Sequence, residues 1–158
     1  MAEELLRLSN EIKAYDTLIL DLDSSGGQLA YAEEFVTALR LIRAGANLKT
    51  YVRHGSKCLS ACVLVFLQGD ERIAGGASSW LFHAACPAHS DLVLPKETMR
   101  FIDLMAASGV SEPFLSLLVL NGYMSKPGEF WLSGYELFNV HNANIITKLL
   151  DPWRPQRP

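Results

Sequence analysis

The chain has 158 residues, 49% hydrophobic and 20% charged, a balance that excludes a disordered chain and predicts one globular domain with a sizeable core. Its formal net charge of −3 leaves no basic footprint and argues against a nucleic-acid partner. No apolar run reaches the roughly 18–20 residues of a membrane span. The acidic start Met1-Ala2-Glu3-Glu4 lacks a basic n-region, so the sequence as written reads as cytoplasmic. Three cysteines, an odd number, do not suggest a disulfide framework. A Cys58–Cys62 bridge stays open as an alternative, set against the strain it would meet across one turn of helix.

In chain order, Leu5, Leu8, Ile12 and Tyr15 recur at helical spacing and predict an amphipathic first helix. The mostly apolar run from Thr17 to Leu22 predicts a strand, ended by Asp23-Ser24-Ser25-Gly26-Gly27. Leu29, Ala32, Phe35 or Val36, Leu39 and Ile42 then form the inner stripe of a helix that stops at Gly45. Leu48-Lys49-Thr50-Tyr51-Val52 alternates as a strand. This helix–strand–helix–strand order points to parallel βαβ units in an α/β domain.

Next comes Gly55-Ser56-Lys57-Cys58-Leu59-Ser60-Ala61-Cys62, leading into Val63-Leu64-Val65-Phe66-Leu67. The apolar run suits either a strand or a fully buried helix, and periodicity does not separate the two. Residues 71–74 and 79–82 read as short strands joined by Gly75-Gly76. A helix is expected from Pro95 to Ala107, with Phe101, Leu104 and Met105 inward. Ser111-Glu112-Pro113 opens another, Ser111 as its cap, running to about Asn121-Gly122. Ser133-Gly134-Tyr135-Glu136 matches a capping box, and residues 144–147 are expected to form the final strand. The domain is placed at residues 1–150, with 151–158 as a loose tail.

Several of these pieces carry a resemblance. A strand, Asp23-Ser24-Ser25-Gly26-Gly27 and a helix are similar to the "SPGG" turn of Clp-type serine proteases. Gly55 through Ser60-Ala61 to Gly69-x-x-Arg72 resembles that family's nucleophile segment, and Phe82-His83 its catalytic histidine. Trp131-Leu132-Ser133-x-x-Glu136-Leu137 resembles the helix preceding its last strand. The Cys-x-Ser-Ala-Cys signature is shared with a bacterial group of Clp-like proteins predicted to be periplasmic. The likeness covers roughly Thr17 to Thr147, apart from a helical insert between about Pro87 and Lys126. It implies the ClpP/crotonase spiral of ββα units, a buried helix after Ser60, and assembly into trimers or rings, with Pro95 to Asn121 as the surface to examine. Three departures stand out. Ser25 replaces proline, the usual strand before the first helix is missing, and Glu129 stands where the family has its aspartate. The missing strand suggests a truncated start, and with it a lost signal peptide and a periplasmic location.

The residues then take roles. Ser60 is the expected nucleophile and His83 the base, because an imidazole can both take and return a proton in such a reaction. The N–H groups of Gly27 and Ala61 are the expected oxyanion hole, Gly26 and Ser25 the adjoining substrate-binding positions, and Glu129 the residue that orients His83. Asn139 or Asn142 is the alternative third member, and a Ser–His dyad another. The ordinary alternatives are a capping serine, a core histidine and a plain glycine turn. His83-x-x-Cys86-x-x-His89, completed by Cys58 or Cys62, is a rival metal set with poor spacing for zinc. His54 and His141 read as surface or packing residues. The expectation is a serine hydrolase acting on a peptide or small acyl substrate, without cofactor. The alternative is a non-catalytic or acyl-CoA-binding protein of the same fold.

Overall fold

The computed structural model describes residue 7 and residues 16–150 other than 88, 89 and 91. The expected first helix, the tail 151–158 and His89 therefore lie outside the described residues. In chain order the elements are β1 (Thr17–Asp21), α1 (Leu29–Arg43), β2 (Asn47–Val52), β3 (Lys57–Leu59), α2 (Cys62–Phe66), β4 (Glu71–Ala74), β5 (Ser79–Phe82), α3 (Pro95–Ala107), α4 (Glu112–Leu120), β6 (Phe130–Ser133), a π-helical turn (Glu136–Val140) and β7 (Lys148–Leu149).

Two sheets share one domain. The first runs β1-β2-β4-β7 and is parallel throughout, with Leu18 opposite Leu48 and Tyr51 opposite Ile73. Its parallel pairs need crossovers, which α1 and α2 supply. Leu39 of α1 packs with Leu48 and Val65, closing one side of this sheet. The second sheet runs β3-β5-β6, parallel between β3 and β5 and antiparallel between β5 and β6. The two strands expected on either side of Gly75-Gly76 thus fall in different sheets. Between the sheets lies the main core, where Phe66 meets Trp80 edge-on at 4.9 Å.

The segment after Ser60 is a buried helix, because Val63, Leu64 and Phe66 are enclosed on all sides and α2 hands the chain from one sheet to the other. The insert turns its apolar stripe inward: Phe101, Met105, Val110, Phe114 and Leu118 join the main core, and Phe114 meets Phe82 of β5 at 5.2 Å. Met99, Val119 and Leu120 are left exposed on its outer side.

Three local expectations need correction or refinement. Residues 144–147 are not strand; Arg72 donates from Nε to the Ile145 carbonyl (2.7 Å) and from Nη2 to that of Asn144 (3.0 Å). Those carbonyls are drawn aside, and Asn144 turns to φ 56°, so pairing begins only at Lys148 opposite Ile73. Ser111 does occupy the N-cap position of α4, but its hydroxyl makes no capping bond; its Oγ is buried without a partner. The capping box holds, with the Ser133 N–H and hydroxyl both donating to Glu136 Oε2 at 2.7 Å. It opens a π-helical turn rather than an α-helix.

Candidate active site

Strand register assembles the site. Ser24 forms a parallel bridge with Cys58, Cys58 pairs with Trp80, and Trp80 pairs with Leu132. These four residues make one row across adjacent segments of the chain. Beyond the row, at the carboxyl ends of the parallel segments, lie Gly26 and Gly27 from the first, Ser60 and Ala61 from the second, and His83 from the third. The antiparallel β6 reaches the same level from its other end. The register ends at Phe82–Phe130, with His83 the residue after β5 and Glu129 the residue before β6. Residues far apart in sequence meet because their strands stop together.

The turns at these strand ends interlock. The Gly26 N–H donates to Ser24 Oγ at 3.1 Å, and Gly26 has φ 85°. A Cβ added there would lie 2.5 Å from the Leu59 carbonyl oxygen and 3.0 Å from Ser60 Cβ. Glycine is required by both conformation and space. Ser60 itself has φ 54°, a left-handed conformation uncommon for serine and concentrated at functional sites. Its N–H donates to the Leu81 carbonyl at 2.9 Å, which ties the turn to the strand bearing His83. Among the described residues, no intramolecular hydrogen bond takes the N–H of Gly27 or of Ala61.

Gly27, Ser60, Ala61 and His83 line one cavity of about 470 Å³, whose apolar wall includes Leu29, Leu94 and Phe101. A neighbouring cavity of about 500 Å³ shares Gly27 and Ala61 and reaches Gly26, Phe35 and Cys62. Ser25 borders neither cavity. The Glu129 carboxylate accepts from Trp131 Nε1 at 2.8 Å and does not border the Ser60 cavity. Asn139 and Asn142 are exposed and outside it too. Among the described residues no hydrogen bond joins the Ser60 hydroxyl to His83; such bonds often tighten only when substrate arrives. His141 packs its ring against Phe114 and Phe130, and His54 Nδ1 accepts from the Ala77 N–H at 3.4 Å.

Cys58 and Cys62 form a disulfide, with Cα atoms 5.3 Å apart. The bridge does not span a helix. Cys58 stands on β3, the chain turns at Ser60-Ala61, and Cys62 opens α2. The bond removes both thiols from the metal alternative, and no group of three or more His, Cys, Asp or Glu among the described residues is placed to hold a metal. Cys86 is a free, exposed thiol bordering the Ser60 cavity.

Helix α3 is the part of the site that reading the sequence missed. It supplies Glu97 and Phe101 to the cavity wall. It is fastened just after His83 by Thr98, whose Oγ1 accepts from the Ala85 N–H and donates to the Leu94 carbonyl, both at 2.9 Å. A threonine in the inward stripe of Phe101 and Met105 was the available signal: a buried hydroxyl needs partners.

No family model matches the chain, and no curated protein matches it. Among solved structures it is similar to a ClpP1 mutant from Listeria monocytogenes, with TM-score 0.67 and 16% identity over 97% of this chain and 82% of that one. It is also similar to a peptidase from Plasmodium falciparum, with TM-score 0.64 and 14% identity over 94% and 85%. The chain has a ClpP-like α/β fold.

Proposed function

We propose that this chain is a Clp-like serine peptidase or related acyl hydrolase. One observation carries the reading: Ser60, His83 and the free N–H groups of Gly27 and Ala61 line a single cavity at aligned strand ends. In the reaction, His83 takes the Ser60 hydroxyl proton as Oγ attacks the substrate carbonyl carbon. The carbonyl oxygen becomes an oxyanion held by the two backbone N–H groups. Collapse breaks the bond to the leaving amine or alcohol, which receives the proton from His83. Water then gives a proton to His83 and attacks the acyl group, and the acid leaves as Ser60 regains its proton.

Glu129 is assigned the orienting role on its position next to Phe130, which pairs with Phe82 just before His83; its carboxylate would have to turn from Trp131 to the imidazole to do so. The Cys58–Cys62 bridge favours the periplasmic location implied by the Cys-x-Ser-Ala-Cys resemblance, since disulfides persist in oxidising compartments. Subcellular fractionation decides this, and a purely cytosolic protein would contradict it. The exposed Met99, Val119 and Leu120 on the insert support self-assembly through that face.

The decisive experiment is labelling with a fluorophosphonate. Ser60 is modified in the wild type, modification disappears in Ser60→Ala and weakens in His83→Ala, and Ser60→Ala lowers ester turnover by roughly 10⁴–10⁶. A folded chain with its disulfide intact that shows no labelling sinks the hydrolase reading in favour of a non-catalytic acyl-binding protein.

A further inference from the structure

We propose that the Cys58–Cys62 disulfide is a positioning clamp for the nucleophile: it holds Ser60 and the Ala61 N–H in their working geometry, and its reduction stops hydrolysis while the fold persists. The proposal rests on the hydrolase reading of Ser60 and adds a control to that site.

The conformation of Ser60 needs holding. A lone serine at φ 54° relaxes to the right-handed or extended regions unless its surroundings fix it. Upstream it is well fixed. Strand β3 is gripped on one side by Ser24, through Leu59 N–H to Ser24 O at 3.0 Å, and on the other by β5. Downstream, α2 is held by the packing of Val63, Leu64 and Phe66 in the core, but its start has no side-chain hydrogen bond of its own. Helix α2 is only five residues long and has no side-chain cap at Ala61, and so short a helix has little stability of its own. Across the turn run Val63 N–H to Ser60 O (3.0 Å) and Leu64 N–H to Ala61 O (3.2 Å), both belonging to the first helical turn itself. The disulfide is the link that fastens the start of α2 back onto the rigid β3. Ser60 and Ala61 lie inside the loop it closes.

The same geometry explains why reduction spares the fold. The bridge spans a sequence separation of 4, and closing so short a loop removes little entropy from the unfolded chain. The main core continues far beyond the two cysteines, through Trp80, Phe82, Phe114 and Leu118. Access is one-sided. Both cysteines are buried, Cys58 at 0% and Cys62 at 4% exposure, but Cys62 lines the cavity beside Gly27 and Ala61, which gives a small reagent its approach. A small dithiol attacks there: its thiolate bonds to Cys62 Sγ and expels the Cys58 thiolate, which takes up a proton. The second thiol of the reagent then displaces Cys62 as a thiol and closes a cyclic disulfide, so two electrons and two protons reach the protein. Two thiols need more room than one bonded pair in a close-packed interior, and the uncapped Ser60-Ala61 turn at the start of α2 is where the shift is taken up.

The test uses the full chain, purified oxidised. Fluorophosphonate labelling of Ser60 is timed before and after treatment with dithiothreitol, and again after reoxidation. Alkylation following labelling, read by intact mass, reports one free cysteine in the oxidised chain and three in the reduced one. The expected result is at least a tenfold slower labelling on reduction, recovery on reoxidation, and a far-UV spectrum that stays native. A double variant, Cys58→Ser with Cys62→Ser, labels slowly whatever the redox state. Ester kinetics show the loss in kcat, with KM moving less than twofold, which general loosening of the structure would not produce. Equal labelling rates in a fully reduced, folded chain overturn the clamp and leave the hydrolase reading standing. Reduction that unfolds the chain overturns it too, by making the bridge merely structural. Absence of Ser60 labelling in the oxidised chain overturns the hydrolase reading and the clamp together.

Discussion

Replacing Gly26 by alanine tests the interlocked turns directly. Two costs add at this position. With φ 85°, a residue bearing a Cβ enters the left-handed region at about 1–2 kcal/mol. The new Cβ would also meet the Leu59 carbonyl oxygen at 2.5 Å, where ordinary contact begins at 3.4 Å. That oxygen is backbone at the end of β3 and cannot swing aside as a side chain would; forcing such a shift costs about 1–3 kcal/mol. The expected loss is therefore about 2–5 kcal/mol, measured by urea unfolding. Because the displaced atom belongs to the residue before Ser60, fluorophosphonate labelling should slow even at temperatures where the variant is fully folded. Gly45→Ala is the matched control: its φ lies outside the left-handed region and the nearest atom to its Cβ is the Ile42 carbonyl at 4.0 Å. It should be neutral, or stabilising by up to about 1 kcal/mol. A Gly26→Ala variant within about 0.5 kcal/mol of that control, and labelling at the wild-type rate, would refute both the packing argument and the placement of this turn beside the nucleophile.

Glu136 makes stability depend on acid. Its carboxylate is held below its ordinary value of 4.5, first by the Ser133 N–H and then by the Ser133 hydroxyl. A group whose folded pKa is depressed contributes stability above its unfolded value, and the contribution is lost as pH falls through the folded one. Wild type should therefore be more stable than Glu136→Gln at neutral pH, with the gap closing in acid unfolding curves below about pH 4.5; a gap that stays constant into that range refutes the assignment. Sedimentation velocity tests assembly through the insert. An oligomer should dissociate in Leu120→Asp, since Leu120 is 84% exposed, whereas a wild-type monomer at micromolar concentration overturns that proposal.

The α/β class was legible because βαβ patterning is local: each strand and helix announces itself by its own period and punctuation. Helix α3 was bounded residue for residue by Pro95 and the apolar stripe ending at Ala107. The capping box was readable for the same reason, since both partners lie within one turn. The final strand was misjudged because Arg72, some seventy residues away in sequence, claims the carbonyls of Asn144 and Ile145. Long-range hydrogen bonding overrode β-propensity there.

By itself the sequence determined which residue types were available for catalysis and in what order: a glycine pair after a strand, a serine at the mouth of a buried segment, a histidine at a strand end. It also determined that α2 would be buried, though not that it would be a helix. Only the tertiary structure decided that these pieces share one cavity, because the common row of Ser24, Cys58, Trp80 and Leu132 is a property of strand register, which no single segment encodes. Only it decided that Cys58 and Cys62 face each other across a turn instead of along a helix. The chemistry of a residue is carried in the chain, but its partners are set by where neighbouring strands stop.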